Sequence, residues 1–332
     1  MRIGLLGAGR IGAVHAETIA GLPAVSGLVV HDTDTRTARA LADKFGAEHA
    51  GDVDGLLGSG IDGLVVATPT GTHAEHIRAG VRAGLPIFCE KPVAGDIGET
   101  RDVLAEVTAA AVPLQVGFQR RFDAGYQTIR QAVRDGRLGR LHTLRACTSD
   151  PAPPPPEYLP GSGGIFRDCS VHDYDIVRWV TGREVTEVYA TGAAGGGAFF
   201  AAADDVDTAA SVLTLDDGTL AVCTATRYNG AGYDVRLEAC GDAATLVAGL
   251  TDEAPLVSAE GAAWPAGTPA RSFTERFHAA YVAELTAFTE LVAGIRPSPC
   301  TGADALSAFL VAEAADRSRR SGRPVRVAEV AR

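Results

Sequence analysis

The first third of the chain alternates short apolar runs with longer stretches of helical periodicity. The apolar runs lie at residues 3–6, 27–30, 63–66, 86–89 and 114–117, and the helical stretches lie at 11–20, 35–45, 72–83 and 97–111. Strands that alternate with helices pair in parallel through right-handed crossovers. The pattern therefore predicts an α/β fold that begins with a doubly wound parallel sheet.

The rhythm changes after residue 120. The pattern first predicts a helix at 123–135, a strand at 140–148, a proline-rich run at 150–156 and a helix at 168–180. It then predicts strands at 184–191, 206–215, 219–228, 233–240 and 244–250, and final helices at 273–293 and 302–320. This order predicts a C-terminal α+β domain with an open, mainly antiparallel sheet. We place the first domain at 1–118 and the second, for substrate binding, catalysis and oligomerisation, at 119–332. A second subunit can cover the open face of such a sheet, which favours a homo-oligomer.

Composition and charge narrow the possible partners. The 332 residues are 46% hydrophobic, which suffices for two cores, and the net charge of −11 argues against nucleic-acid and membrane-surface partners. A strand-like run follows Met1 directly, and no apolar stretch is long enough to cross a bilayer, so we expect a cytoplasmic protein. The six cysteines form no C-x-x-C pair, and we expect no metal.

A glycine-rich turn separates the first strand from the first helix. Its residues are Gly7, Ala8, Gly9, Arg10, Ile11 and Gly12. Glycines at this spacing make a tight turn, let the backbone approach a pyrophosphate and let helix and strand pack closely. Asp32 follows at the end of the second strand, where a carboxylate accepts hydrogen bonds from ribose hydroxyls and repels a 2′-phosphate. The first domain is therefore predicted to be a Rossmann domain that binds NAD in preference to NADP.

Two more segments follow parallel strands at their carboxyl ends, where open α/β sheets bind ligands. From them we assign Thr68, Pro69, His73, Glu90 and Lys91 to the cofactor site. Lys91 is one of two lysines among 30 cationic residues, and lysine, unlike arginine, can exchange a proton. An ordinary surface lysine is the alternative interpretation. Pro92 is a candidate for a cis peptide bond that would direct Lys91.

A polar segment in the second domain has the spacing of an acid–base unit. On a helix Asp168, His172 and Asp175 fall at i, i+4 and i+7 and share a face. A carboxylate one turn from a histidine orients the imidazole and raises its basicity. A solvated polar face is one alternative. A metal site is the other, but the sequence offers no further cluster of ligands for it.

Four motifs occur in a fixed order: the glycine loop, Glu90-Lys91-Pro92, the run Gly-Phe-Gln-Arg-Arg-Phe-Asp at 117–123, and Asp168-x-x-x-His172-Asp173. Together they resemble the glucose–fructose oxidoreductase / inositol dehydrogenase / rhizopine-catabolism (Gfo/Idh/MocA) family over essentially the whole chain. Segments 120–123, 150–158 and 163–168 resemble in particular the bacterial inositol 2-dehydrogenases. Ser149 departs from them, since that position is often basic.

The resemblance implies a catalytic set of Lys91, Asp168 and His172 and a homotetramer. It also implies a substrate site with Gln119, Arg120, Asp150, Asp175 and Tyr233. The implied reaction is NAD-dependent oxidation of a secondary ring hydroxyl of a cyclitol, foremost myo-inositol to 2-keto-myo-inositol. The alternatives are scyllo-inositol, an aminocyclitol or a glucose-type pyranose as substrate, an NAD-dependent glycosidase, and a non-catalytic sugar sensor.

Overall fold

The computed structural model of the chain describes residues 1–260 and 267–331. Two compact units are present. The first comprises Met1–Gln119 with Ala279–Leu306, and the second comprises Arg120–His278 with Ser307–Arg332. The domain boundary that we place at residue 118 stays a prediction.

The first unit is built on a six-stranded parallel sheet. Its strands are β1 (Arg2–Leu6), β2 (Gly27–His31), β3 (Glu48–His49), β4 (Gly63–Val66), β5 (Ile87–Glu90) and β6 (Leu114–Gly117). They lie in the order β3-β2-β1-β4-β5-β6. The order reverses between β1 and β4, which is the topological switch point at which such sheets bind ligands. The predicted doubly wound parallel sheet is confirmed.

The second unit is built on a seven-stranded sheet. Its strands are β7 (Leu141–Ser149), β8 (Val185–Ala193), β9 (Thr208–Leu215), β10 (Leu220–Thr226), β11 (Asp234–Gly241), β12 (Thr245–Ala248) and β13 (Val325–Arg326). They lie in the order β12-β11-β7-β10-β9-β8-β13, and every neighbouring pair is antiparallel except β7 with β10. The predicted open, mainly antiparallel sheet is confirmed.

The long helices agree with the periodicity, except that the helix predicted at 273–293 is divided at Phe277 into Phe273–Arg276 and His278–Val292. The helices are α1 (Arg10–Gly21), α2 (Thr35–Phe45), α3 (Val53–Leu57), α4 (His73–Arg82), α5 (Ile97–Ala109), α6 (Ala124–Arg134), α7 (Leu159–Ser162), α8 (Val171–Thr181), α9 (Ala198–Ala202), α10 (Phe273–Arg276), α11 (His278–Val292), α12 (Gly302–Ser321) and α13 (Val327–Val330). The predicted helix at 168–180 starts differently, because Phe166–Ser170 form a π-helical turn before α8. Within the described ranges, each helix is too short or too polar to cross a bilayer.

The core of the first unit includes a helix from far along the chain. Phe288 on α11 packs edge-on against Phe88 of β5, with ring centroids 5.8 Å apart. Gly63 on β4 leaves room for the same helix, since a Cβ there would lie 2.7 Å from Val292 Cγ2. The first unit therefore depends on residues that follow most of the second unit in sequence.

The second sheet has one covered and one exposed face. Helix α8 packs on β7 and β10, and α6 packs on β12. Along β9 and β10 exposed residues alternate with buried ones, as expected for a sheet with one solvated face. Strand register aligns one exposed row across the sheet, in the order Tyr189, Val212, Val222, Arg145, Glu238 and Val247. The four apolar members of the row are 38–44% exposed.

Candidate active site

The three glycines of the loop after β1 differ in their surroundings. Gly7 has a φ of +99°, and a Cβ there would lie 2.5 Å from the carbonyl oxygen of Ala67. A Cβ at Gly12 would collide with the carbonyl oxygen of Gly7. At Gly9, in contrast, a Cβ would have no atom within 4 Å. The first and third glycines are thus required by the protein's own packing, whereas the second borders open space.

The helix that follows the loop starts without a side-chain cap. Gly9 is the N-cap of α1, and Arg10 and Ile11 form its first turn. The neighbouring α2, α3 and α5 each begin at an aspartate whose carboxylate accepts backbone N–H groups. Exposed N–H groups at a helix N-terminus bind anions such as phosphate. The open space at Gly9 and the uncapped helix therefore fit the pyrophosphate of a dinucleotide.

Asp32 lies directly after β2 and orders the same loop. Its Oδ2 accepts a hydrogen bond from the N–H of Ala8 at 2.7 Å, and its Oδ1 accepts one from the N–H of Asp34 at 2.8 Å. A carboxylate has about four acceptor positions, so it keeps capacity for ribose hydroxyls. The position of Asp32 beside the glycine loop fits the predicted role.

A buried histidine joins the loops that follow β4 and β5. His73 places Nε2 at 2.8 Å from the carbonyl oxygen of Thr68 and Nδ1 at 2.7 Å from that of Pro92. Pro69 caps the short 3₁₀ turn Thr70–Thr72 that leads into His73. The peptide bond between Lys91 and Pro92 is cis, as predicted. His73 thus fixes the segment that carries Lys91.

Glu90, the last residue of β5, has a partner that sequence reasoning missed. Its Oε1 lies 2.7 Å from Nε2 of His15, which is buried on α1. The His15 ring also packs edge-on against Phe88 and Tyr281. His15 therefore anchors the strand end from which Lys91 departs.

In the second unit two predicted carboxylates share one cation. Arg227 donates from Nη2 to Oδ2 of Asp168 at 2.8 Å and from Nη1 to Oδ2 of Asp150 at 3.4 Å. Tyr158 donates its hydroxyl to Oδ1 of Asp168 at 3.0 Å. Burial raises the pKa of Asp150, Arg227 opposes that shift, and the charge of Asp168 adds to it. Sequence reasoning assigned no role to Arg227 or Tyr158.

His172 lies on the first turn of α8 and is partly buried. The shared face predicted for Asp168, His172 and Asp175 assumed α-helical spacing, but a π-helical turn has a wider repeat. Asp175 is fully buried, and it accepts hydrogen bonds from Nε of Arg121 at 2.8 Å and from its Nη2 at 2.5 Å. Asp175 thus belongs to an ion pair separate from the Arg227 cluster.

Arg120 and Tyr233 are also buried in the second unit. Arg120 donates to Asp173 at 2.5 Å and to Thr148 at 2.9 Å, so its charge is neutralised internally. Burial raises the pKa of Tyr233, and the charge of Arg120 opposes that shift. Gln119, the remaining predicted substrate residue, is buried in the first unit.

Comparisons with known proteins cover almost the whole chain. Residues 1–118 match the oxidoreductase family with an NAD-binding Rossmann fold, and residues 126–247 match the GFO/IDH/MocA C-terminal domain. A myo-inositol dehydrogenase of Streptomyces leeuwenhoekii is 39% identical, with 97% of this chain and 98% of the relative covered. The myo-inositol 2-dehydrogenase of Thermotoga maritima is 35% identical, with 99% of each chain covered.

Solved structures show the same fold. The crystal structure of scyllo-inositol dehydrogenase from Lactobacillus casei with bound NAD(H) and scyllo-inositol has a TM-score of 0.89 and 28% identity, with 99% of each chain covered. The open glycine loop, the lysine after β5 and the Asp168–His172 segment occur here within that shared architecture. On this basis the chain is an NAD-dependent oxidoreductase and belongs to the Gfo/Idh/MocA family.

Proposed function

We propose that this enzyme oxidises a secondary ring hydroxyl of a cyclitol, foremost myo-inositol to 2-keto-myo-inositol. One observation carries the proposal. The open glycine cradle and the Asp168–His172 segment occur together in a chain that matches inositol dehydrogenases over nearly its full length. A secondary alcohol and NAD⁺ give a ketone, NADH and one proton. The cytoplasmic location expected from the sequence stays a prediction.

The chemistry divides between cofactor and protein. NAD, when bound, supplies the hydride acceptor, and Gly7, Gly9, Gly12 and Asp32 would hold it. His172 acts as the base that takes the hydroxyl proton, with Asp168 orienting its ring. Lys91 donates a hydrogen bond to the same oxygen and stabilises the charge that develops there.

Asp150 is the predicted substrate residue whose surroundings best suit a polyol. Its side chain is 23% exposed and can accept hydrogen bonds from hydroxyl groups. Arg120 and Asp175 are neutralised by Asp173 and Arg121, so their charges are already used in holding α8. Substrate contacts of Gln119, Arg120, Asp175 and Tyr233 stay predictions.

We also propose a homo-oligomer, most simply a tetramer, assembled through the exposed face of the second sheet. The row that contains Tyr189, Val212 and Val222 supports this assembly. Apolar side chains aligned on an exposed face lose contact with water when a second copy covers them. Arg145 and Glu238 form an ion pair in the same row, at 2.5 Å.

The glycine cradle gives the first prediction. Gly9→Ala adds a methyl group that no protein atom opposes, at an ordinary φ of −69°, so the variant should fold normally. It should still weaken NADH binding at least tenfold, because the methyl group blocks close approach of the pyrophosphate. Fluorescence titration measures the affinity. Gly21→Ala, which also meets open space, is the matched control and should bind NADH normally. Equal affinity of both variants would contradict the assignment.

The second prediction concerns the proposed acid–base residues. Lys91→Met and His172→Ala should each lower kcat by about 10²–10⁴-fold, because general acid–base catalysis contributes that much. NADH affinity should change little. Lys91→Arg should fail as well, since the planar guanidinium fork cannot take the place of the compact ammonium that donates to the substrate oxygen. Steady-state kinetics provide the measurement, and losses below about tenfold would show that the roles are misassigned.

The substrate is tested with a polyol panel followed by NADH absorbance. We expect activity with myo-inositol, weaker activity with glucose and little with scyllo-inositol, because only the axial 2-hydroxyl of myo-inositol leaves an equatorial hydrogen on the reacting carbon. Hydroxyl groups paired in a buried site are discriminated strongly.

NAD should be preferred over NADP, because Asp32 repels a 2′-phosphate.

Three results of this panel would contradict the proposal. Faster turnover of scyllo-inositol, or of an aminocyclitol, than of myo-inositol would show that this other compound is the substrate. Cleavage of a glycoside without net NADH would indicate the glycosidase. Sugar binding without turnover of any member would indicate the sensor.

A further inference from the structure

Arg227 is a buried cation outside every motif that the sequence displays. It follows β10 and is 3% exposed. Its backbone N–H donates to the carbonyl oxygen of Asp207 at 2.7 Å, which fixes the start of the side chain. The guanidinium then contacts Asp150, at the end of β7, and Asp168, in the π-helical turn. One cation thus joins three segments of the second unit.

The positive and negative charges around the Arg227 guanidinium are unequal in number. Arg227 faces two carboxylates, and the titratable side chains of Cys169 and Tyr233 also interact with Asp150. Removing a buried cation from such a cluster leaves uncompensated negative charge, which is strongly destabilising. Loss of Arg227 would therefore raise the pKa of Asp150 further, since the charge and the hydrogen bond of Arg227 lower it more than the hydrogen bond from Cys169 does.

The hydrogen bonds to Asp168 and Asp150 also fix the orientation of these carboxylates. Tyr158 holds Oδ1 of Asp168 and Arg227 holds its Oδ2, so the plane of that carboxylate is set by two donors. On Asp150, Arg227 and the thiol of Cys169 both contact Oδ2, the latter at 3.7 Å. Among the residues that the structure describes, none donates a hydrogen bond to Oδ1 of Asp150. The Asp150 side chain is 23% exposed, and a carboxylate oxygen can accept a hydrogen bond from a ligand hydroxyl.

We propose that Arg227 is a positioning residue for the reaction: its guanidinium aligns Asp168 for His172 and keeps Asp150 an anionic acceptor for a substrate hydroxyl. The inference rests on the proposed function and deepens it, because it explains how a polyol is held next to the base. Arg227 acts through the two aspartates and touches neither the reacting carbon nor the cofactor.

The test compares Arg227→Met, which removes the charge, with Arg227→Lys, which keeps the charge but loses the planar fork. The control is Arg183→Met, which removes a half-exposed arginine paired with Asp217 in the same unit. We expect Arg227→Met to lower kcat/KM for myo-inositol at least 10²-fold and to move its acid limb to higher pH. Arg227→Lys should fall between Arg227→Met and wild type in both respects, and Arg183→Met should match wild type. NADH affinity should be unchanged in all three variants.

A second measurement does not need turnover. Urea unfolding at pH 5 and pH 8 should show that Arg227→Met loses stability relative to wild type as the pH rises. The sign follows because a carboxyl with a raised pKa in the folded state is stabilising when protonated and loses that contribution as the pH rises through the folded pKa. The same substitution together with Asp150→Asn should remove most of the difference.

The outcomes separate the two proposals. Absence of cyclitol turnover by wild type contradicts the proposed function, and the unfolding experiment then still tests the charge that Arg227 balances. Wild-type turnover with an Arg227→Met profile that keeps its acid limb, or equal loss in the Met and Lys variants without a pH shift, overturns the positioning role.

Discussion

Three arginines of the second unit are buried against aspartates, and the placement of the Asp168–His172 segment depends on these pairs. Arg120 and Arg121 bind Asp173 and Asp175 on α8, and Arg227 binds Asp168 in the π-helical turn. Each pair costs desolvation, and replacement of a buried pair by apolar residues is often neutral for stability. These pairs instead fix the position of the helix and the turn that carry His172.

The first unit positions its glycine loop through residues that lack side-chain atoms. Gly7 packs closely against Ala67 and Gly12 against the backbone of Gly7, whereas Gly9 leaves open space in front of an uncapped helix. Asp32 holds the loop through the N–H of Ala8, and His73 holds the next two strand ends. The proposed cofactor site is thus made mostly of backbone, whereas three of the predicted substrate residues, Arg120, Asp150 and Asp175, have charged side chains. That difference explains why one fold can keep its cofactor while the substrate varies.

The sequence predicts the features that arise from local pattern. Apolar runs and helical periodicity predict both sheets, and the glycine spacing predicts the loop that faces the cofactor. These features are predictable because they depend on residues that are close along the chain. Arg227 lies 59 residues from Asp168 and 77 from Asp150, so no local pattern indicates the contact. The π-helical turn was missed because the expected spacing assumed 3.6 residues per turn. The packing of α11 in the first unit and the short β3 and β13 are likewise long-range features.

We propose that the enzyme removes a hydride from carbon 2 of myo-inositol and transfers it to NAD. Isotope transfer tests it most directly. The enzyme is incubated with NAD⁺ and myo-inositol that carries deuterium at carbon 2, and the NADH is analysed by mass spectrometry and NMR. We expect NADH with deuterium at carbon 4 of the nicotinamide and a primary isotope effect on the rate. NADH without deuterium would show that another carbon is oxidised and would overturn the proposed reaction.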